Sequence, residues 1–107
     1  MSKTIILIPS RLAAKRLPNK PLLKLNGKSI ISIVYKKALK TKIGEVFVAT
    51  GDKKIYKEIR KIGGNCILTK KNHKTGSDRI FEAIKILSKK KKYKFVVNIQ
   101  GDEPMFN

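Results

Sequence analysis

Three segments hold residues whose types and spacing can do phosphate chemistry. The first, IPSRLAAKRLPNKPL at residues 8–22, carries Ser10, Arg11, Arg16 and Lys20, with Pro18 and Pro21 limiting the chain between them. Fixed cations beside backbone N–H groups form a pocket for a polyphosphate. A stiffened loop also loses less entropy on binding. An ordinary basic surface loop would have the same composition. The last segment, Gln100-Gly101-Asp102-Glu103-Pro104, places carboxylates directly behind an apolar run. Asp102 there can hold Mg²⁺ through one or two oxygens while phosphate supplies others. Gln100 offers a donor and an acceptor to a base edge or a sugar hydroxyl, and Gly101 lets a ligand approach the backbone. Taken alone, the stretch reads equally as an acidic turn closed by proline.

The middle segment runs His73-Lys74-Thr75-Gly76-Ser77-Asp78-Arg79. Thr75 or Ser77 can cap a helix there while the loop presents N–H groups to a ligand. Arg79 would sit in the first turn, against the helix dipole; an anionic partner resolves the conflict, and so does an ion pair with Glu82 three residues on. His73 reads as a loop histidine, since no Ser-His-Asp or Cys-His arrangement is legible. GxxxxGK[ST] and GxGxxG are both missing, which removes the usual signatures of ATP hydrolysis and dinucleotide redox chemistry. Cations on one loop and a Mg²⁺ carboxylate on another point to attack on a nucleotide phosphoryl group, stabilised by positioning and electrostatics.

Alternating elements must position these segments. Thr4–Pro9 and Glu45–Thr50 are apolar, β-branched strands, with a short strand at Asn65–Leu68 and a last one at Lys94–Ile99. Leu22–Gly27 is a short extended piece ending in an Asn-Gly turn. Ser29 caps a helix from Ile30 to about Lys40 with Ile30, Ile33, Val34 and Ala38 inward. Asp52 caps a second to about Ile62, with Ile55, Ile59 and Ile62 inward and Gly63-Gly64 as its stop. A third runs from Ser77 to about Ser88 over Ile80, Ala83, Ile84 and Leu87, and the lysine run 89–92 suits its negative end. Strands alternating with helices define an α/β domain with a largely parallel sheet, and ligands bind at the carboxyl ends of such strands. With no closing helix after Ile99, the 107 residues are expected to be the front part of a longer domain, with Phe95–Ile99 as an uncovered edge.

Composition narrows the classes. Hydrophobic content of 41% argues against disorder despite a formal charge of +19. No apolar run is long enough to cross a bilayer, and Met1-Ser2-Lys3 leads into a strand rather than a signal peptide. Cys66 stands alone, which fits a reducing cytoplasm. The charge suggests a nucleic-acid-binding module. Only four of the 26 basic residues are Arg, however, and the lysines are scattered through every segment. Tyr35, Phe47, Tyr56 and Phe81 all fall in elements with packing roles, so no stacking platform is expected. Arg supplies a planar fork that Lys cannot copy, and three of the four arginines are expected in loops.

The residues that carry chemistry also carry a resemblance. IPSRLAAKRLPNKPL resembles the first loop of sugar cytidylyltransferases. NHKTGSDRI, NIQGDEP and VATGD, in that family's order and spacing, make the whole chain similar to the 3-deoxy-manno-octulosonate (KDO) cytidylyltransferases. The resemblance implies a Rossmann-like nucleotide-diphospho-sugar transferase fold and a reaction in which CTP, with Mg²⁺, gives CMP-KDO and pyrophosphate for lipopolysaccharide synthesis in the cytoplasm. It implies that Arg11 and Lys20 grip the triphosphate, with Arg16 in the same loop. Ser10 and Arg79 would help hold the nucleotide, Gln100 would lie between nucleotide and sugar, and Asp102 would bind Mg²⁺. Residues 1–107 would form the N-terminal CTP-binding part of one nucleotidyltransferase domain. Much of the KDO pocket, a further metal carboxylate and much of the family's homodimer contact would lie in a C-terminal part. This chain by itself is then expected to be inactive. Two positions depart from the pattern: Asn19 stands where the family often has Gly, and Ser10 where it often has Ala. An acylneuraminate cytidylyltransferase is the neighbouring alternative.

Overall fold

The structure, a computed structural model, describes residues 4–12, 19–73, 75–89 and 92–99. Strand β1 (Thr4–Ser10) leads through a basic loop to a 3₁₀ turn at Lys20–Leu22. A small antiparallel hairpin, β2 (Lys24–Leu25) and β3 (Lys28–Ser29), then feeds α1 (Ile30–Lys40). Next come β4 (Glu45–Thr50), α2 (Lys53–Lys61), β5 (Cys66–Leu68), α3 (Gly76–Ser88) and β6 (Phe95–Asn98). The main sheet has the order β5-β4-β1-β6, every pair parallel. Leu7 at its centre lies between Phe47 and Asn98.

Strand alternation divides the core in two. Ile6, Ile8, Val46 and Val48 face α1 and α2, where Ile31, Val34, Tyr35, Ala38, Ile55 and Ile59 pack on them. Ile5, Leu7, Ala49 and Ile67 face α3 through Ile80 and Ala83. Ile5 to Ile8 are all fully buried, as expected of a parallel strand covered on both sides.

Several expectations shift in detail. In α1 Ile30, Val34 and Ala38 are buried as expected, joined by Ile31 and Tyr35, while Ile33 is only half-buried. The extended reading of Leu22 fails because Pro21 sets the first residues of the 3₁₀ turn, while the Asn26-Gly27 turn holds, with φ of 52° and 79°. Ile62 is exposed rather than inward: α2 has ended, Gly63 takes φ 78°, and Gly63 and Gly64 donate to the carbonyls of Arg60 and Ile59. That pair of bonds is a Schellman closure, which turns the chain away before Ile62 can reach the core. Phe81 is 63% exposed, with the Lys85 ammonium over its ring, so its expected packing role is absent. β6 is the outer strand of the described sheet, with Phe95 and Val96 exposed.

Candidate functional site

Parallel pairing brings the carboxyl ends of β1, β4, β5 and β6 to one edge of the sheet. The chain steps from β1 outward to β4 and β5, then returns to place β6 on the other side of β1. The strand order therefore reverses between β1 and β6. A crevice at such a switch point is where open α/β sheets bind ligands. The basic loop leaves β1 there. β6, which immediately precedes Gln100 and Asp102, ends there as well. Gln100, Asp102 and Arg16 themselves lie outside the described residues.

Ser10 closes β1. Its hydroxyl is buried and has no hydrogen-bond partner among the described residues. A buried hydroxyl left so costs free energy unless something binds it. Arg11 is exposed and Lys20 half-buried at the start of the 3₁₀ turn. The loop between them is pinched at its ends, where the Asn19 N–H donates to the Leu12 carbonyl at 2.9 Å. Asn19 has φ 65°, the left-handed region that Gly and Asn tolerate. That explains physically why Asn can stand where the resembling family often has Gly.

Asp52 departs from its expected role. It occupies the N-cap position of α2 but makes no capping bond, which forgoes about 1 kcal/mol. Its Oδ2 instead accepts from the Leu12 N–H at 2.9 Å, across 40 residues of chain. Its Oδ1 lies 4.0 Å from the Lys71 ammonium. Gly51 beside it is equally constrained: a Cβ there would come 2.5 Å from the Lys71 Cα. The loops after β1, β4 and β5 are thus interlocked through Gly51 and Asp52. Nothing local in the VATGD pattern reveals these contacts, because Leu12 and Lys71 lie far from it along the chain.

Thr75, not Ser77, caps α3, its hydroxyl accepting from the Asp78 N–H at 3.0 Å. Of the three arginines expected in loops, Arg79 departs, whereas Arg60 already falls within an expected helix. Arg60 lies in α2 and Arg79 in α3, because both helices run across those positions. Arg79 is 2% exposed. Its guanidinium donates to the Thr69 hydroxyl, to the Lys70 carbonyl at 2.8 Å and to the Lys71 carbonyl at 3.4 Å. Burial pulls it below its ordinary pKa; Asp52 and Glu82 oppose that shift, and Arg11 adds to it. The conflict with the helix dipole is met by these oxygens rather than by a direct pair with Glu82. Glu82 accepts from the Lys70 N–H at 3.1 Å and bonds His73. Burial raises the Glu82 carboxyl, but those bonds and charges outweigh it and hold the group below its ordinary value. His73 is therefore a loop anchor. Burial pushes the Cys66 thiol up to about 12, which leaves it inert as a nucleophile near neutral pH. No cluster of three metal-ligating side chains forms among the described residues.

Fold and site together define an open, parallel α/β domain whose switch-point edge carries cations and whose sequence has no P-loop motif. A cytidylyltransferase family model matches residues 5–107, and the chain belongs to that family. It is 43% identical over 104 residues to the 3-deoxy-manno-octulosonate cytidylyltransferase of Methylobacterium radiotolerans, covering 97% of this chain and 42% of that one. It is 42% identical over 106 residues to the same enzyme of Escherichia coli, covering 98% of this chain and 42% of that one. Among solved structures it matches CMP:2-keto-3-deoxy-manno-octonic acid synthetase complexed with CTP, with a TM-score of 0.86 and 39% identity over 99% of this chain and 43% of that chain. It also matches a cytidylyltransferase from Leptospira borgpetersenii, with a TM-score of 0.78 and 25% identity over 97% of this chain and 43% of that chain. The chain spans about two fifths of the length of these relatives. Among the described residues no helix is long and apolar enough to cross a membrane.

Proposed function

We propose that residues 1–107 form the CTP-binding part of an enzyme that transfers CMP from CTP to KDO. In that reaction the anomeric hydroxyl oxygen of KDO bonds to the α-phosphorus of CTP. The bond from that phosphorus to the bridging oxygen breaks, pyrophosphate leaves and the hydroxyl proton is released. Arg11, Arg16 and Lys20 grip the triphosphate and offset charge on the leaving group. Ser10 turns its buried hydroxyl to the nucleotide. Gln100 lies between nucleotide and sugar, and Arg79 helps to hold the nucleotide by shaping the loop it binds. Magnesium would be held by Asp102 together with phosphate oxygens, the kind of donor set this ion accepts, and would supply neutralisation of the triphosphate charge. The setting is the cytoplasm, and the product feeds lipopolysaccharide synthesis.

One observation carries this reading: Ser10 and Arg11 follow β1 at the switch point, with Lys20 directly after the Asn19–Leu12 bond, in a chain that matches a CTP-complexed synthetase. Calorimetric titration with CTP and Mg²⁺ tests it, with UTP, ATP and a short RNA as controls. Selective CTP binding that falls at least about tenfold in Lys20→Met supports it, since a bond between charged groups is worth that much. Equal or tighter binding of the RNA, with a steep salt dependence, overturns it. Residues 1–107 alone are expected to bind CTP without forming CMP-KDO.

A further inference from the structure

We propose that Asp52 is a positioning residue for the basic loop after β1. A carboxylate at a helix N-cap ordinarily accepts from the helix's own N–H groups. Asp52 leaves those and holds the Leu12 N–H at 2.9 Å. Leu12 is the residue directly after Arg11, and its carbonyl also takes the Asn19 N–H. One residue is therefore clamped from both sides, and both clamps act on the path by which the chain leaves β1. The direction of the Arg11 side chain follows from that path. Asp52 is itself fixed, because its own N–H donates to the Thr50 hydroxyl at 3.1 Å and Gly51 is wedged against the Lys71 backbone. Thr50, in turn, is fully buried and pairs with Ser10 in the sheet register. The ends of β1 and β4 thus deliver Arg11 and Asp52 as a matched pair. The consequence for nucleotide affinity rests on the reading of this loop as a triphosphate cradle.

Three variants of the full chain separate positioning from plain helix capping. Asp52→Ser supplies a good N-cap for α2 but is too short to reach Leu12. Asp52→Asn keeps an acceptor oxygen at full length, and Asp52→Ala removes both. Amide hydrogen exchange at Leu12 is read by NMR, with Val48 as the reference for the intact core, alongside calorimetry with CTP and Mg²⁺. The expected result is a protected Leu12 amide in the natural chain and in Asp52→Asn. In Asp52→Ser it exchanges at least about tenfold faster, with Val48 unchanged and CTP affinity reduced about tenfold. Leu12 protection in Asp52→Ser equal to that of the natural chain overturns the proposal. So does a freed Leu12 amide with undiminished CTP affinity. If the natural chain binds no CTP, the functional reading fails, and the Leu12 amide still decides whether Asp52 holds the loop.

Discussion

Arg11 and Arg79 stand at the same edge of the same sheet and do opposite things. Arg11 follows β1, is exposed, and is directed by bonds that its neighbours make. Arg79 lies in α3, is buried, and gives its donors to Thr69, Lys70 and Lys71. One guanidinium is exposed, and the other is bonded into the loop between β5 and α3. The difference is one of surroundings rather than residue type. Carbonyls converging near the start of α3 take up the Arg79 cation, while Arg11 stays exposed beside the Asp52–Leu12 bond.

The largest effect that could break this contrast is on stability. Arg79→Leu removes a donor from two carbonyls and a hydroxyl and should cost about 3 kcal/mol in urea unfolding. Arg11→Met should change stability by less than about 0.5 kcal/mol and instead weaken CTP binding about tenfold or more. The reverse pattern would invert the assignment of the two arginines. Next in size is Gly51→Ala, where a methyl must displace the Lys71 backbone; overpacking of this kind should cost about 2 kcal/mol. Asn19→Val places a β-branched residue at φ 65° and should cost about 1 kcal/mol, whereas Asn19→Gly should stay within a few tenths. Equal effects of the two would mean that the pinch at Leu12 does not hold the loop.

The smallest effect sharpens the account of the Arg79 side. The Glu82 carboxyl is held below its ordinary value of 4.5, so the unfolded chain takes up its proton first as pH falls. Its contribution to stability is present above pH 4.5 and is lost as pH drops through the lower folded value. Unfolding measured at successive pH values should therefore show natural and Glu82→Gln chains differing most near neutrality and converging in acid. A constant difference across that range would remove the His73 and Lys70 contacts as its cause.

Much of the architecture was legible because it rests on short-range patterns. Apolar runs marked the strands, Gly63-Gly64 marked the end of α2, and Asn26-Gly27 marked a turn. Helix phase was legible only in part: Ile33 and Ile31 are equally apolar, and the sheet beneath decides which is buried. Ile62 fits the same stripe as Ile55 and Ile59, but the Schellman closure ends the helix before it. The candidate site was legible as a set of residue types, Ser10, Arg11, Lys20 and Arg79 among the described residues. Their division of labour was not, because the partners of Arg79 lie eight to ten residues away, beyond any local pattern.

By itself the sequence determined the alternation of strands and helices, the basic composition of the first loop and the family to which those motifs belong. Each depends on residue type and near spacing. Tertiary structure alone decided that β6 returns beside β1 to make a switch point. It also decided that Asp52 reaches Leu12 rather than its own helix, and that Arg79 turns inward. Those outcomes depend on which chain ends the parallel sheet brings within hydrogen-bond reach, a distance that no local pattern encodes.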